Sequence, residues 1–255
     1  MNARTRAIAL ATFRESVRDR LLLLVVVFAI ALVLFSRVLG WLSVEDELKM
    51  VQDFSLTGLS LLGLFLAVLV GAGSLAREVE RRTVYTALTR TATRAEFIVG
   101  RYAGLVAVFW LCQLGAAALL AGWIVVWGGA LHGAFFAAVA GLLCETLVLT
   151  AIALFLGALA APAIASVGTL AAYLVGHGTE ALRDLTANGR NPDFAMAFEV
   201  LYRVLPNLES VNFINATTSG RPVDWGALGM GALYAACWAV AFLAGAVALF
   251  RRRQF

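Results

Sequence analysis

Apolar residues in this chain gather into six long runs, at about 21–42, 55–76, 98–127, 134–160, 163–178 and 226–250. About 20 apolar residues at 1.5 Å each match the roughly 30 Å hydrocarbon core of a bilayer, so such runs predict spanning helices. The alternation of a membrane β-barrel is absent. The pattern therefore predicts an all-α membrane protein: one transmembrane domain over 1–255 with six transmembrane helices. Span five is short and glycine-flanked, and Pro162 is placed to open it, because its fixed φ suits a first helical turn.

Three polar stretches punctuate these runs. In residues 1–20, Ala7, Leu10, Phe13, Val17 and Leu21 recur at helical spacing while Arg14 and Arg18 lie four apart on another face. An N-terminal interfacial helix is predicted there, its arginines toward anionic headgroups. No small-residue cleavage site follows the first apolar run, which reads as a retained span. Residues 77–97 form a polar helical tip between spans two and three. Between spans five and six, residues 179–225 carry Phe194, Phe198, Leu201, Tyr202 and Leu205 at spacings of three and four. That apolar face predicts a short helix, ended by Pro206, as an outer-face helical segment.

Composition agrees with the pattern and charge gives it a direction. The 255 residues are 62% hydrophobic and 14% charged, with a mean hydropathy of +0.87, against about 45–50% and 25% for soluble domains. Residues 1–20, 77–101 and 251–255 hold 14 of the 20 Lys and Arg. By the positive-inside rule both termini and the 77–101 stretch are cytoplasmic, and 179–225 extracytoplasmic. The expected setting is the cell inner (cytoplasmic) membrane, multi-pass, with membrane lipid as a partner and no nucleic acid. Cys112, Cys144 and Cys237 all fall within apolar runs and read as small core residues.

The arginine-rich stretch is more ordered than a basic loop needs to be. Arg81, Val84, Tyr85 and Leu88 fall at i, i+3, i+4 and i+7, an apolar stripe edged by a cation. Glu78 can pair with Arg82 one turn on. A break near Thr91 and Thr93 precedes Arg94, with Thr93 a candidate cap for the next helix. The stripe and its glutamates point to partner docking.

Elsewhere the chain offers little chemistry. Glu145 is the one carboxylate well inside a predicted span. It reads either as a translocation-path residue or proton carrier, or as a structural group bonded to a neighbouring helix. His177 stands alone near the end of span five and His132 in a distant turn, so no metal site is expected. Neither Gly71-Ala72-Gly73-Ser74 nor the run 226–234 is a nucleotide loop; both read as small-residue packing sites. Gly100 and Gly104 form a GxxxG pair given no dimer role. No catalytic residue and no cofactor site is expected in the chain, which is not expected to be an enzyme itself.

Glu78, Glu80, Thr83, Leu88, Thr93-Arg94 and Gly100-Arg101 resemble the signature that follows span two in permease subunits of type-2 ATP-binding-cassette (ABC) transporters. Arg81-Arg82 stands where glycines are common, Thr91 where proline is usual and Arg101 where lysine is usual. The resemblance extends to TFRESVRDR at 12–20, LPNLESVNF at 205–213 and FRRRQF at 250–255. It implies that 77–97 contains a cytoplasmic coupling helix docking a separate ABC ATPase (nucleotide-binding) subunit through Glu78, Glu80, Arg81, Arg82, Thr83, Val84, Tyr85, Leu88 and Arg94. It also implies a connecting helix with Leu10, Phe13, Arg14, Val17 and Arg18, and an outer gate region with Phe194, Phe198, Pro206, Asn207 and Phe213. A second permease copy, and ATP and magnesium in the partner ATPase, are implied likewise.

Three functions are compatible with this sequence. The leading one is an exporter's permease, forming the translocation path as a dimer. A non-transporting scaffold of the same architecture would transmit ATPase-driven motion to outer-face proteins. An intramembrane enzyme centred on Glu145 would need a second catalytic group, and the sequence shows none.

Overall fold

A computed structural model describes residues 2–40, 47–74, 93–178, 206–219 and 222–252. Among these the chain is all helical. Its helices are α1 (Ala3–Val17), α2 (Arg20–Gly40), α3 (Glu47–Phe65), α4 (Arg94–Val126), α5 (Gly133–Leu159), α6 (Pro162–His177), α7 (Ile214–Ser219) and α8 (Trp225–Arg252). A π-helical stretch, Leu66–Gly71, continues α3, and a 3₁₀ turn, Leu208–Val211, precedes α7. Four helical stretches among the described residues are long and apolar enough to cross a membrane: Lys49–Ser74, Arg94–Val126, Gly133–Leu159 and Trp225–Arg251. The chain is thus a membrane-embedded helical protein. Helix α2 has 21 residues of apolar sequence, and α6 is a shorter apolar helix.

Helix ends follow local chemistry. Pro162 sits in the first turn of α6, as its fixed φ predicts. Helix α3 is described from Glu47, two turns before the predicted apolar run, and Val51 is already buried there. Helix α4 begins at Arg94 with Thr93 as its cap. The Thr93 hydroxyl accepts from the Glu96 backbone N–H at 3.2 Å, and the Glu96 carboxylate accepts from the Thr93 N–H at 2.9 Å. This reciprocal pair is a capping box, with two orphan donors satisfied at once. Helix α4 has 33 residues, about 50 Å at 1.5 Å each. That exceeds the roughly 30 Å of hydrocarbon, so its polar first turns can stand clear of it.

The centre of the bundle is α5. It touches α3, α4, α6, α7, α8, the π stretch and the 3₁₀ turn, and its buried positions run all around the helix. Its sequence explains this: it is apolar on every face and rich in alanine, so a close neighbour fits on any side. Polar side chains stitch it to α4, where Tyr102 donates to the Leu147 carbonyl at 3.1 Å and Trp110 to that of Leu143 at 3.0 Å. Ser166 of α6 donates to the Val68 carbonyl in the π stretch at 3.0 Å, a side-chain partner for a backbone group outside the regular ladder.

Helix α1 packs along α4 by an unexpected face. Thr5, Thr12 and Ser16 are buried, whereas Leu10 and Val17 of the predicted apolar stripe are half exposed. Phe13 departs from that stripe and packs against the core with Ile8. Arg14 and Arg18 are exposed. The seat is Gly100 and Gly104, the GxxxG pair: a Cβ at Gly104 would lie 2.6 Å from the Ala9 carbonyl oxygen, and one at Gly100 2.9 Å from that of Thr5. Small residues here let two backbones meet, and the short polar side chains of α1 fit that contact. A further correction concerns Cys237, which is exposed on α8; Cys112 and Cys144 are partly buried.

Replacing Gly104 with leucine should drive α1 off α4 and destabilise the protein by about 1–3 kcal/mol. Gly122→Leu on the same helix, where an added Cβ meets nothing within 4 Å, is the control and should be near neutral. Thermal melts of the two variants in detergent decide; equal melting temperatures would contradict the packing described.

Candidate functional site

Two constellations of polar groups stand out from the apolar packing. The first is built around Glu145, near the middle of α5, which is 2% exposed. Ser60 on α3 donates to its Oε1 at 2.8 Å. The Ser60 oxygen also lies 2.9 Å from the Tyr173 hydroxyl of α6. A serine hydroxyl has one proton, spent on Glu145, so Tyr173 is the donor in that second contact. His177, one turn beyond Tyr173 with ring centroids 4.6 Å apart, places Nε2 3.5 Å from Glu145 Oε1 and Nδ1 3.4 Å from Glu209 Oε2. A row of polar side chains therefore runs from the 3₁₀ turn into the bundle, Glu209, His177, Glu145, Ser60 and Tyr173, in which His177 Nε2 faces Glu145 without completing a hydrogen bond.

A polar group at this depth must find its partners inside the bundle, and Ser60 supplies a hydrogen bond to Glu145. The outer end is held by local structure. Asn207 accepts from the Glu209 N–H at 2.9 Å and opens the 3₁₀ turn, while its own N–H donates to Tyr234 of α8 at 2.8 Å. The Asn212 amide lies 3.1 Å from both Glu209 carboxylate oxygens. Gly141 on α5 makes room for this turn, since a Cβ there would collide with the Val211 carbonyl and approach Phe213. His177 beside Glu209 holds its carboxyl below the usual range, with burial opposing and Asn212 reinforcing.

The second constellation brackets the arginine-rich stretch. Arg101, 5% exposed, donates to the carbonyl of Ser74 at 3.0 Å, the last described residue before that stretch. Arg94, near the end of 77–97 and first in helix α4, donates to the carbonyls of Phe250 at 2.7 Å and Arg251 at 3.0 Å. These carbonyls lie in the last described turn of α8, and a cation suits the negative end of a helix dipole. Phe97 stacks on Phe250 at 6.4 Å beside them.

Of the residues predicted to matter, Glu145, Pro206, Asn207 and Phe213 come together around the first constellation, and Arg94 lies in the second. Glu78, Glu80, Arg81, Arg82, Thr83, Val84, Tyr85, Leu88, Phe194 and Phe198 lie outside the described residues. Ser60, Tyr173, His177 and Glu209 were not anticipated as partners of Glu145. One signal was available: Tyr173 and His177 are four apart and share a helix face. Among the described residues no group of three or more His, Cys, Asp or Glu is arranged to hold a metal ion. No protein-family model matches the chain, and no curated protein matches it.

The Glu209 arrangement has a pH consequence. A carboxyl lowered in the folded state stabilises the fold above its unfolded value, and that contribution is lost as pH falls through the folded value. The melting temperature should therefore drop on acidification below about pH 4.5, the ordinary value of such a group, and Glu209→Gln should flatten that limb. An acid limb unchanged in the variant, followed by melts across pH, would count against the His177–Glu209 contact.

Proposed function

We propose that this chain is the permease subunit of an ATP-driven type-2 ABC transporter. In this reading α2, α3 with its π extension, α4, α5, α6 and α8 are six spans with both termini cytoplasmic, and two copies form an export path. A separate ATPase subunit, holding ATP and magnesium, docks on 77–97 through Glu78, Glu80, Arg81, Arg82, Thr83, Val84, Tyr85, Leu88 and Arg94. The exposed Leu10 and Val17, with Arg14 and Arg18, face the lipid interface.

The observation that carries the proposal is the anchoring of both flanks of the arginine-rich stretch. Arg101 ties the Ser74 end to α4 and Arg94 ties the other end to the terminus of α8. A loop that merely satisfied charge asymmetry would need no such ties. A segment that receives force does, because its displacement must reach the spans before it is absorbed locally. The Thr93 capping box supports this, fixing where helix α4 begins. The signature residues Glu78 to Arg101 supply the transporter class.

The test is ATP hydrolysis by the complex purified from native membranes. Alanine at Glu78 or Tyr85 should reduce hydrolysis to that of the free ATPase while the chain still inserts and melts normally. If no ATPase co-purifies, or both variants hydrolyse ATP like the wild type, the docking assignment is wrong.

A further inference from the structure

Glu145 is approached from two directions of different character. Ser60 donates to it from inside the bundle and Tyr173 donates to Ser60, so both hydroxyl protons are already spent. His177 approaches from the end of α6 with both ring nitrogens facing carboxylates, Glu145 at 3.5 Å and Glu209 at 3.4 Å. Both gaps exceed the 2.7–3.2 Å of a good hydrogen bond. The ring is rigid, so a tilt that shortens one contact lengthens the other. His177 and Glu209 side chains are each 22% exposed, Glu145's only 3%. Accessibility therefore falls along the chain from Glu209 to Glu145.

We propose that Glu145 is a proton-loading site, filled from the face bearing residues 206–212 through Glu209 and His177. The ligand is the proton itself, supplied by water at Glu209. Glu209 passes a proton to Nδ1 of an imidazole protonated on Nε2. The resulting imidazolium releases its Nε2 proton to the Glu145 carboxylate, leaving a neutral ring protonated on Nδ1. Exchange of the ring between its tautomers resets the relay, and no other reactant is consumed.

The groups facing His177 are Glu145 from α5, Tyr173 from its own helix and Glu209 from the 3₁₀ turn. Helix α3 contributes the uncharged Ser60, and α8 contributes Tyr234 through Asn207. Among the described residues the row goes on from Glu145 only to Ser60 and Tyr173, while Thr146, Thr150 and Thr169 donate to carbonyls of their own helices, at 3.0, 2.7 and 2.8 Å. Among these residues the arrangement is thus a store filled from one side. It neutralises a carboxylate at the point where α3, α5 and α6 meet, a change that alters how tightly those helices hold together. The inference goes beyond the transporter reading and stands whether or not the chain docks an ATPase.

Infrared difference spectroscopy of the full chain in lipid nanodiscs tests it. On acidification the wild type should gain a carboxylic-acid C=O band that Glu145→Gln lacks. After transfer to D₂O, deuterium exchange at that band should slow by about a hundredfold in His177→Phe, the low end of what a positioned proton-transfer group contributes. Glu209→Gln, which keeps the shape of the outer group, should slow it in the same direction and decides the matter if His177→Phe does not fold. A purely structural bridge would change the melting temperature of these variants and leave the exchange rate alone. The proposal is overturned if no Glu145 band appears at any pH, or if exchange keeps its wild-type rate in whichever of the two variants folds.

Discussion

Hydrocarbon offers no hydrogen-bonding partners, so every polar group carried into the bundle must find one there. Glu145 makes the strictest demand of this kind among the described residues. Placed on α5, the helix that touches most others, it draws Ser60 from α3, Tyr173 and His177 from α6 and, through His177, Glu209 from the 3₁₀ turn. A residue that is expensive at that depth thus fixes the relative positions of three helices and an inter-helix segment. The close approach it needs comes from small residues, Gly141 being the one that lets the 3₁₀ turn reach α5.

The same constraint acts differently where helices end. Arg94 donates to the carbonyls of Phe250 and Arg251 in the last described turn of α8, and Arg101 to that of Ser74. Each arginine is buried or part-buried by the contact, which a surface pair would not achieve and for which simple charge asymmetry offers no reason. Polar residues therefore mark both functional proposals. One set ties Ser74 to α4 and the start of α4 to the end of α8. The other links Glu209 to the interior. Helix α5 and its neighbours are the packed material between them, stitched by Tyr102, Trp110 and Ser166.

Much of the architecture was legible in the chain because its signals are local. Run length gave most helices within a few residues, α3 excepted, Pro162 gave the start of α6, and Thr93 gave that of α4. The face on which α1 packs was not legible. Periodicity of apolar residues marks it as Leu10, Phe13 and Val17, but in lipid an apolar stripe has no need to turn inward. Close packing on Gly100 and Gly104 selected the threonines and Ser16 instead. The site was half legible: Glu145 is conspicuous alone in its span, whereas its partners lie 85 positions away at Ser60 and beyond the 3₁₀ turn's own sequence neighbours. Pairing over such separations is set by the fold and leaves no periodic trace.

The central claim is that the arginine-rich stretch and the outer end of the Glu145 chain face opposite sides of one membrane. Single cysteines at Tyr85→Cys and Ser210→Cys, each in a background with Cys112, Cys144 and Cys237 changed to alanine, can be labelled with a membrane-impermeant maleimide in sealed vesicles of known orientation. The account predicts that residue 85 reacts only from the cytoplasmic face and residue 210 only from the other. Labelling of both from the same face would contradict it.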